Sequence, residues 1–281
     1  MKIFLTLPCY VVALSALTSF LLVPLLKELA LKYSILDNPN QNHKTHHSSV
    51  PYLGGLSILI PISVLILYGA NHLTESNEYR FLIYLILICS LSLAFVGLCD
   101  DIKNLSSALR LTVEICISVF LGIVLSKYGI IVQLMDNKYS NIVISVLWLV
   151  GITNALNLFD NVDGGVAGVT LISASTISFL AFVGEQNIIF LLSLALAGSS
   201  VGFLFWNFPS AKIYLGDSGA LFIGFFLSVL ILQLETKAEN RFVSAAFAIF
   251  ILAMPIIDTL VVIISRIKSK NRFFALNPTY N

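Results

Sequence analysis

Nine long apolar runs divide this chain, at about residues 4–26, 53–70, 81–98, 108–126, 142–158, 165–183, 188–206, 219–234 and 242–265. A run of that length crosses hydrocarbon only as a helix, because its backbone polar groups find no water there and must pair within the segment. The runs predict an all-α, polytopic integral membrane helix bundle of about nine transmembrane helices, with residues 1–281 as a single transmembrane domain. Composition agrees: 58% of the 281 residues are hydrophobic and 11% charged, where a soluble domain carries about a quarter charged residues. A net charge of +1 leaves no basic footprint for nucleic acid. Lys2 precedes an apolar stretch that lacks a small-residue cleavage pattern, so the first run reads as a transmembrane helix rather than a leader. Cys9, Cys89, Cys99 and Cys116 have no metal-site spacing and read as small buried hydrophobes.

Threading nine spans puts 27–52, 99–107, 159–164, 207–218 and 266–281 on one side. That side holds Lys27, Lys32, Lys44, Lys103, Arg110, Lys212, Arg266, Lys268, Lys270 and Arg272. The other holds Lys2, Arg80, Lys127, Lys138, Lys237 and Arg241. The positive-inside rule makes the first side cytoplasmic. Asp37, His46, Asp100, Asp101, Asp160, Asp163 and Asp217 then share the cytoplasmic face, as a site built across several helix ends would.

A polar stretch runs from Thr153 to Gly165 between two apolar runs: Thr-Asn-Ala-Leu-Asn-Leu-Phe-Asp-Asn-Val-Asp-Gly-Gly. Such groups are costly to desolvate near a bilayer and tend to mark functional sites. If the preceding run is helical through Phe159, then Asn154, Asn157 and Asp160 fall three apart and close to one face. The glycines let the chain leave that helix and let a ligand approach the backbone. A polar seam followed by a turn is the plainer alternative.

Asp100-Asp101 ends the third run. Adjacent carboxylates repel, and a hard divalent cation such as Mg²⁺ relieves this; a solvated helix end paired with Lys103 also fits. Gly216-Asp217-Ser218-Gly219 opens the eighth run and places a carboxylate and backbone N–H groups at a helix N-terminus. That suits phosphate or a metal–phosphate complex, or simply an N-cap. The loop from Asp37 to Gly55 carries His43, Lys44, His46 and His47, which could contact phosphate or stay solvated; zinc spacing is missing. Asp258, inside the last run, is either an interhelical contact or part of the site wall.

Together these segments resemble the polyprenyl-phosphate N-acetylhexosamine-1-phosphate transferase family. The matching pieces are Asp37-Asn38-Pro39-Asn40 with His43-Lys44-Thr45-His46 and Val50-Pro51-Tyr52-Leu53-Gly54-Gly55, the pair Asp100-Asp101, and Asn154-Ala155-x-Asn157-Leu158-x-Asp160-Asn161-x-Asp163-Gly164. Asn207-Phe208-Pro209-x-Ala211-x-Ile213-Tyr214-Leu215-Gly216-Asp217-x-Gly219 and Pro255-x-x-Asp258-Thr259 complete the set, in the family's order. The resemblance implies transfer of a sugar-1-phosphate from a UDP-sugar to undecaprenyl or another polyprenyl phosphate, releasing UMP, as the first membrane step of a cell-envelope polysaccharide. It implies a bacterial cytoplasmic (inner) membrane location, and it is compatible with a homodimer. It implies Asp217 as ligand to Mg²⁺ or Mn²⁺, and Asp100 and Asp101 as catalytic, assisting the metal or orienting the lipid phosphate. Lys44, His46, Asn154, Asn157, Asp160, Asp163, Asn207, Tyr214 and Gly216 would bind substrate.

Against the family pattern, His43 stands where an arginine is expected and Ser49 where a proline is usual. A basic, histidine-rich C-terminal loop and a last helix are expected but missing after Arg272. A truncated, inactive relative that still binds nucleotide-sugar is therefore the alternative. A membrane transporter would place its acids near mid-span and show a repeat; here most acids sit at one face and no repeat is visible. A CDP-alcohol phosphotransferase shares Asp160-x-x-Asp163-Gly164, but Gly168 replaces its arginine.

Overall fold

The computed structural model of the chain describes residues 2–37, 50–72, 76–235 and 240–268. Among the described residues the order is α1 (Lys2–Lys32), β1 (Leu36–Asp37), β2 (Val50–Pro51), α2 (Gly54–His72), α3 (Asn77–Lys103), α4 (Ser107–Lys127), α5 (Lys138–Phe159), α6 (Gly165–Val183), α7 (Asn187–Asn207), α8 (Gly216–Gln233), α9 (Arg241–Ile251) and α10 (Ala253–Lys268). The helices α1 to α8 are long and apolar enough to cross a membrane. Polar side chains start several of them: Ser76, Ser106 and Asn137 each accept a hydrogen bond from a first-turn N–H, of Tyr79, Leu109 and Tyr139. The fold is thus the multi-span helical bundle that the apolar runs predict.

α8 is its axis. From Gly216 to Ile231 every residue of this helix is buried except Asp217. A helix apolar all round belongs inside a bundle, and α8 is wrapped by α2, α3 and α5, with α6 beside it. Small residues let those neighbours come close. A methyl group added at Gly97 of α3 would collide with the Asp217 carbonyl, and one at Gly55 of α2 with Cα of Gly219. Outside this inner group, α7 packs between α1 and α6. Its Gly198 and Gly202 face the α1 backbone at Val12 and Ala16.

The ninth apolar run departs from the single straight span expected of it. It breaks at Leu252 into α9 and α10, which meet at 77°. Pro255 is the third residue of α10, where its missing N–H has no intrahelical role to lose. The Ser173 hydroxyl of α6 donates to the Ile251 carbonyl at 2.9 Å, satisfying an acceptor that the break would leave open. Leu252 is fully buried and fixes the corner. The cysteines differ in part from expectation: Cys89 is buried, whereas Cys9 and Cys116 face outward.

One short stitch positions the site. The N–H of Tyr214 donates to Pro51 C=O (2.8 Å), while Gly54 and Gly55 N–H donate to the carbonyls of Tyr214 (2.9 Å) and Leu215 (2.8 Å). The start of α2 is thereby tied to the chain leading into α8.

Candidate active site

The N-terminus of α8 has no side-chain cap of its own. α3 supplies one: Asp101 accepts the backbone N–H of Asp217 at 2.9 Å and of Ser218 at 3.2 Å, one on each carboxylate oxygen. This joins two orphan donors of one helix to a side chain of another. Gly216 makes room for it. Its φ is +77°, and a Cβ there would lie 2.8 Å from Asp101 Oδ2. The Asp217 side chain is not used as the cap.

The neighbouring carboxylate is held by a different device. α3 ends on Asn104 in the left-handed region, φ 51°, and the chain turns back so that Leu105 N–H donates to Asp100 at 2.6 Å. Arg110, in the first turn of α4, then pairs with Asp100 and, 2.8 Å away, with Asp217. One guanidinium bridges two acids that are 117 residues apart in sequence. Lys103, the partner that the sequence offered for the acid pair, is exposed; Arg110 takes that place.

One turn deeper on α4, Glu114 is 1% exposed. The Asn154 amide of α5 donates to both its oxygens, at 2.8 and 2.9 Å, and to Val150 C=O at 2.9 Å. Asn154 is therefore engaged with a buried acid rather than facing a ligand. Asn157, one turn on, has a buried amide oxygen without a hydrogen-bond partner.

The α5–α6 turn and the 208–215 segment are clasped together. Asn207, at the end of α7, accepts Gly164 N–H at 2.7 Å and donates to Ile213 C=O at 2.9 Å. Asp163 accepts Ala211 N–H at 2.9 Å. Gly164 starts α6 at φ +72° with Phe208 packed against it. Asp160 sits at the end of α5, its carboxyl pushed well above the usual carboxylate range, first by burial and then by the charges of Asp217, Asp101 and Asp163. Burial and the charges of Asp163, Asp37 and Asp160 push the Tyr214 hydroxyl up to about 12. Tyr52 is raised further by burial and by its hydrogen bond to Asp37. The two rings lie 6.1 Å apart. Asp37 acts on both.

These parts enclose a cleft of about 400 Å³. Of the residues the sequence singled out, Asp100, Asp101, Asn157, Asp160, Gly216 and Asp217 line it, together with Tyr52, Asn104 and Asn161. Asn154, Asp163, Asn207 and Tyr214 are not among its lining residues; Lys44 and His46 lie outside the described residues. Arg110, Val262 and Arg266 also line the cleft, and none of the three was singled out as a site residue. Glu114 was missed as well, although a lone acid in the apolar run 108–126, one turn after an arginine, carries a signal. Among the described residues no three His, Cys, Asp or Glu side chains form a ready cation cage.

Comparison with known proteins places this geometry in a lineage. Residues 83–235, from within α3 through α8, match the model of the family described as "Glycosyl transferase family 4". The chain is 34% identical over 265 residues to a probable undecaprenyl-phosphate N-acetylglucosaminyl 1-phosphate transferase of Bacillus subtilis, covering 91% of this chain and 71% of that relative. It is 32% identical over 213 residues to an undecaprenyl-phosphate alpha-N-acetylglucosaminyl 1-phosphate transferase of Thermotoga maritima, covering 76% and 62%. A phospho-N-acetylmuramoyl-pentapeptide-transferase of Bacillus pumilus is 28% identical over 287 residues, covering 95% and 85%. With the matched region holding the paired acids, the Asn154–Asp163 turn and the start of α8, the chain belongs to glycosyl transferase family 4.

Proposed function

We propose that this protein transfers a sugar-1-phosphate, an N-acetylhexosamine-1-phosphate, from a UDP-sugar to undecaprenyl phosphate, with release of UMP. The observation that carries the reading is Asp217. It is the one carboxylate on an otherwise buried helix, it sits at that helix's N-terminus, and it opens into a cleft with Asp100, Asp160 and Arg110. The Arg110 guanidinium favours phosphate, and a hard carboxylate favours Mg²⁺. The names of the relatives supply the substrate class.

Mg²⁺, or Mn²⁺, would be held by Asp217, with substrate phosphates completing the shell, since this ion usually takes only one or two carboxylates. Bound there it would neutralise charge on the diphosphate. The chain's own residues do the rest. Asp101 fixes the end of α8 and so aims Asp217. Asp100, held by Leu105 N–H, orients Arg110. Asn157 offers an unpartnered amide oxygen to a donor on the nucleotide-sugar. Asp160 and Tyr52 line the wall, and Asp163 clasps the 208–215 segment through Ala211. The cleft faces the cytoplasm of a bacterial inner membrane in this reading, where UDP-sugars are made.

The test is UMP release from UDP-N-acetylglucosamine by membranes supplied with undecaprenyl phosphate. Turnover should require Mg²⁺ and fall by at least about a hundredfold in Asp217→Ala, the scale expected when a charge-stabilising group is lost. Nucleotide-sugar binding with no turnover would instead mark an inactive relative.

A further inference from the structure

We propose that Arg110 occupies the cation seat of the cleft while no divalent ion is bound, and gives up Asp217 when one arrives. The proposal rests on the assignment of Asp217 as a metal-holding residue.

The guanidinium of Arg110 sits between Asp100 and Asp217 and bonds both through a single nitrogen, Nη1. The three side chains are unequally open: Arg110 is 9% exposed, Asp100 11% and Asp217 32%. Asp217 is thus the end of the bridge that the cleft can reach. A small dication on its carboxylate would stand against a guanidinium bound to the same group, and like charges at such range repel. Mg²⁺ carries the larger charge and takes oxygen at about 2.0–2.1 Å, so the arginine is the partner that yields.

The arginine has somewhere to go. Asp100 stays in place whatever happens at Asp217, because Leu105 N–H holds its other oxygen. Glu114, four residues along α4, lies close enough for its charge to act on Arg110. A guanidinium that leaves Asp217 therefore keeps one direct acid partner and the field of a second. While no ion is bound, the bridge spares the cleft an uncompensated carboxylate at the start of α8.

The experiment measures Mn²⁺ binding to the purified full chain, without substrate, from the loss of the free-ion electron paramagnetic resonance signal. Arg110→Met should bind Mn²⁺ at least about tenfold more tightly than the wild type. Arg110→Lys, which keeps the charge but not the planar fork, should fall between them. Asp217→Asn should abolish the binding in every background. Equal or weaker binding by Arg110→Met, with wild-type binding still dependent on Asp217, would overturn the exchange and leave the metal assignment standing. If Arg110→Met does not fold, Arg110→Lys decides: binding no tighter than wild type overturns the proposal. Absence of any Asp217-dependent Mn²⁺ binding in all forms would sink the metal assignment and the exchange with it.

Discussion

Asp160 shows how a side chain reports on its surroundings. Burial and three neighbouring carboxylates raise its proton affinity in the folded protein. Between the ordinary carboxylate value and the raised one, the folded state keeps a proton that the unfolded chain has released. Stability therefore falls as pH rises through that window, and is fully present below it. Asp160→Asn removes the group and should flatten this part of the curve. Thermal unfolding in detergent without divalent ions, from about pH 4 to about pH 8, should show the variant gaining on the wild type as pH rises. Parallel curves would mean that Asp160 is ionised and compensated in the fold. Asn207 carries a different message at the same scale. The sequence places it among substrate-binding residues, yet its amide spends both ends on Gly164 and Ile213. Residue type shows that a group can hydrogen-bond; it does not show with what.

Among the elements, α4 and α5 are joined inside the membrane by one polar contact, Glu114 with Asn154. Asn154→Leu would strand a buried carboxylate, whereas removing both groups leaves an apolar seam. The single variant should lose about 1–3 kcal/mol, and Asn154→Leu combined with Glu114→Leu should recover part of it. A double-mutant cycle on unfolding free energy measures this coupling; additive losses would show that the pair does not stabilise the bundle. This element-level contact explains much of what was and was not legible. The runs announced α1 to α8, and the paired acids, the Asn/Asp turn and the Gly-Asp-Ser-Gly start of α8 were visible as clusters. Arg110 was not, because in sequence it is one cation near the start of a run. Its role exists only once α3, α4 and α8 converge. The corner at Leu252 had a visible cue in Pro255, but an unbroken run of apolar residues concealed it.

At the scale of the molecule, polar function is gathered at one end. Asp100, Asp101, Asp160 and Asp217 all sit at helix ends on one side, whereas Asp136 and Arg241 pair at the other, exposed and 3.0 Å apart. From the charge count we propose that the first end faces the cytoplasm. Single cysteines at exposed Lys103 and exposed Tyr139, in a background lacking the native cysteines, should label from opposite sides of intact cells. A membrane-impermeant maleimide should reach position 139 and not 103 until the membrane is opened. The reverse pattern would invert the topology and put the cleft outside.

The cap that Asp101 places on α8 bears on how such proteins decay. A lineage released from selection for catalysis can lose Asp217 and still leave Arg110 its bond to Asp100. Asp101 is different: without it, two buried backbone donors at the start of the central helix go unanswered. Drift would therefore erase Asp217 first and keep Asp101 for the sake of folding. A descendant that retains the paired acids but has lost Asp217 is the expected fossil of this site, and the paired acids alone are no sign of a living enzyme.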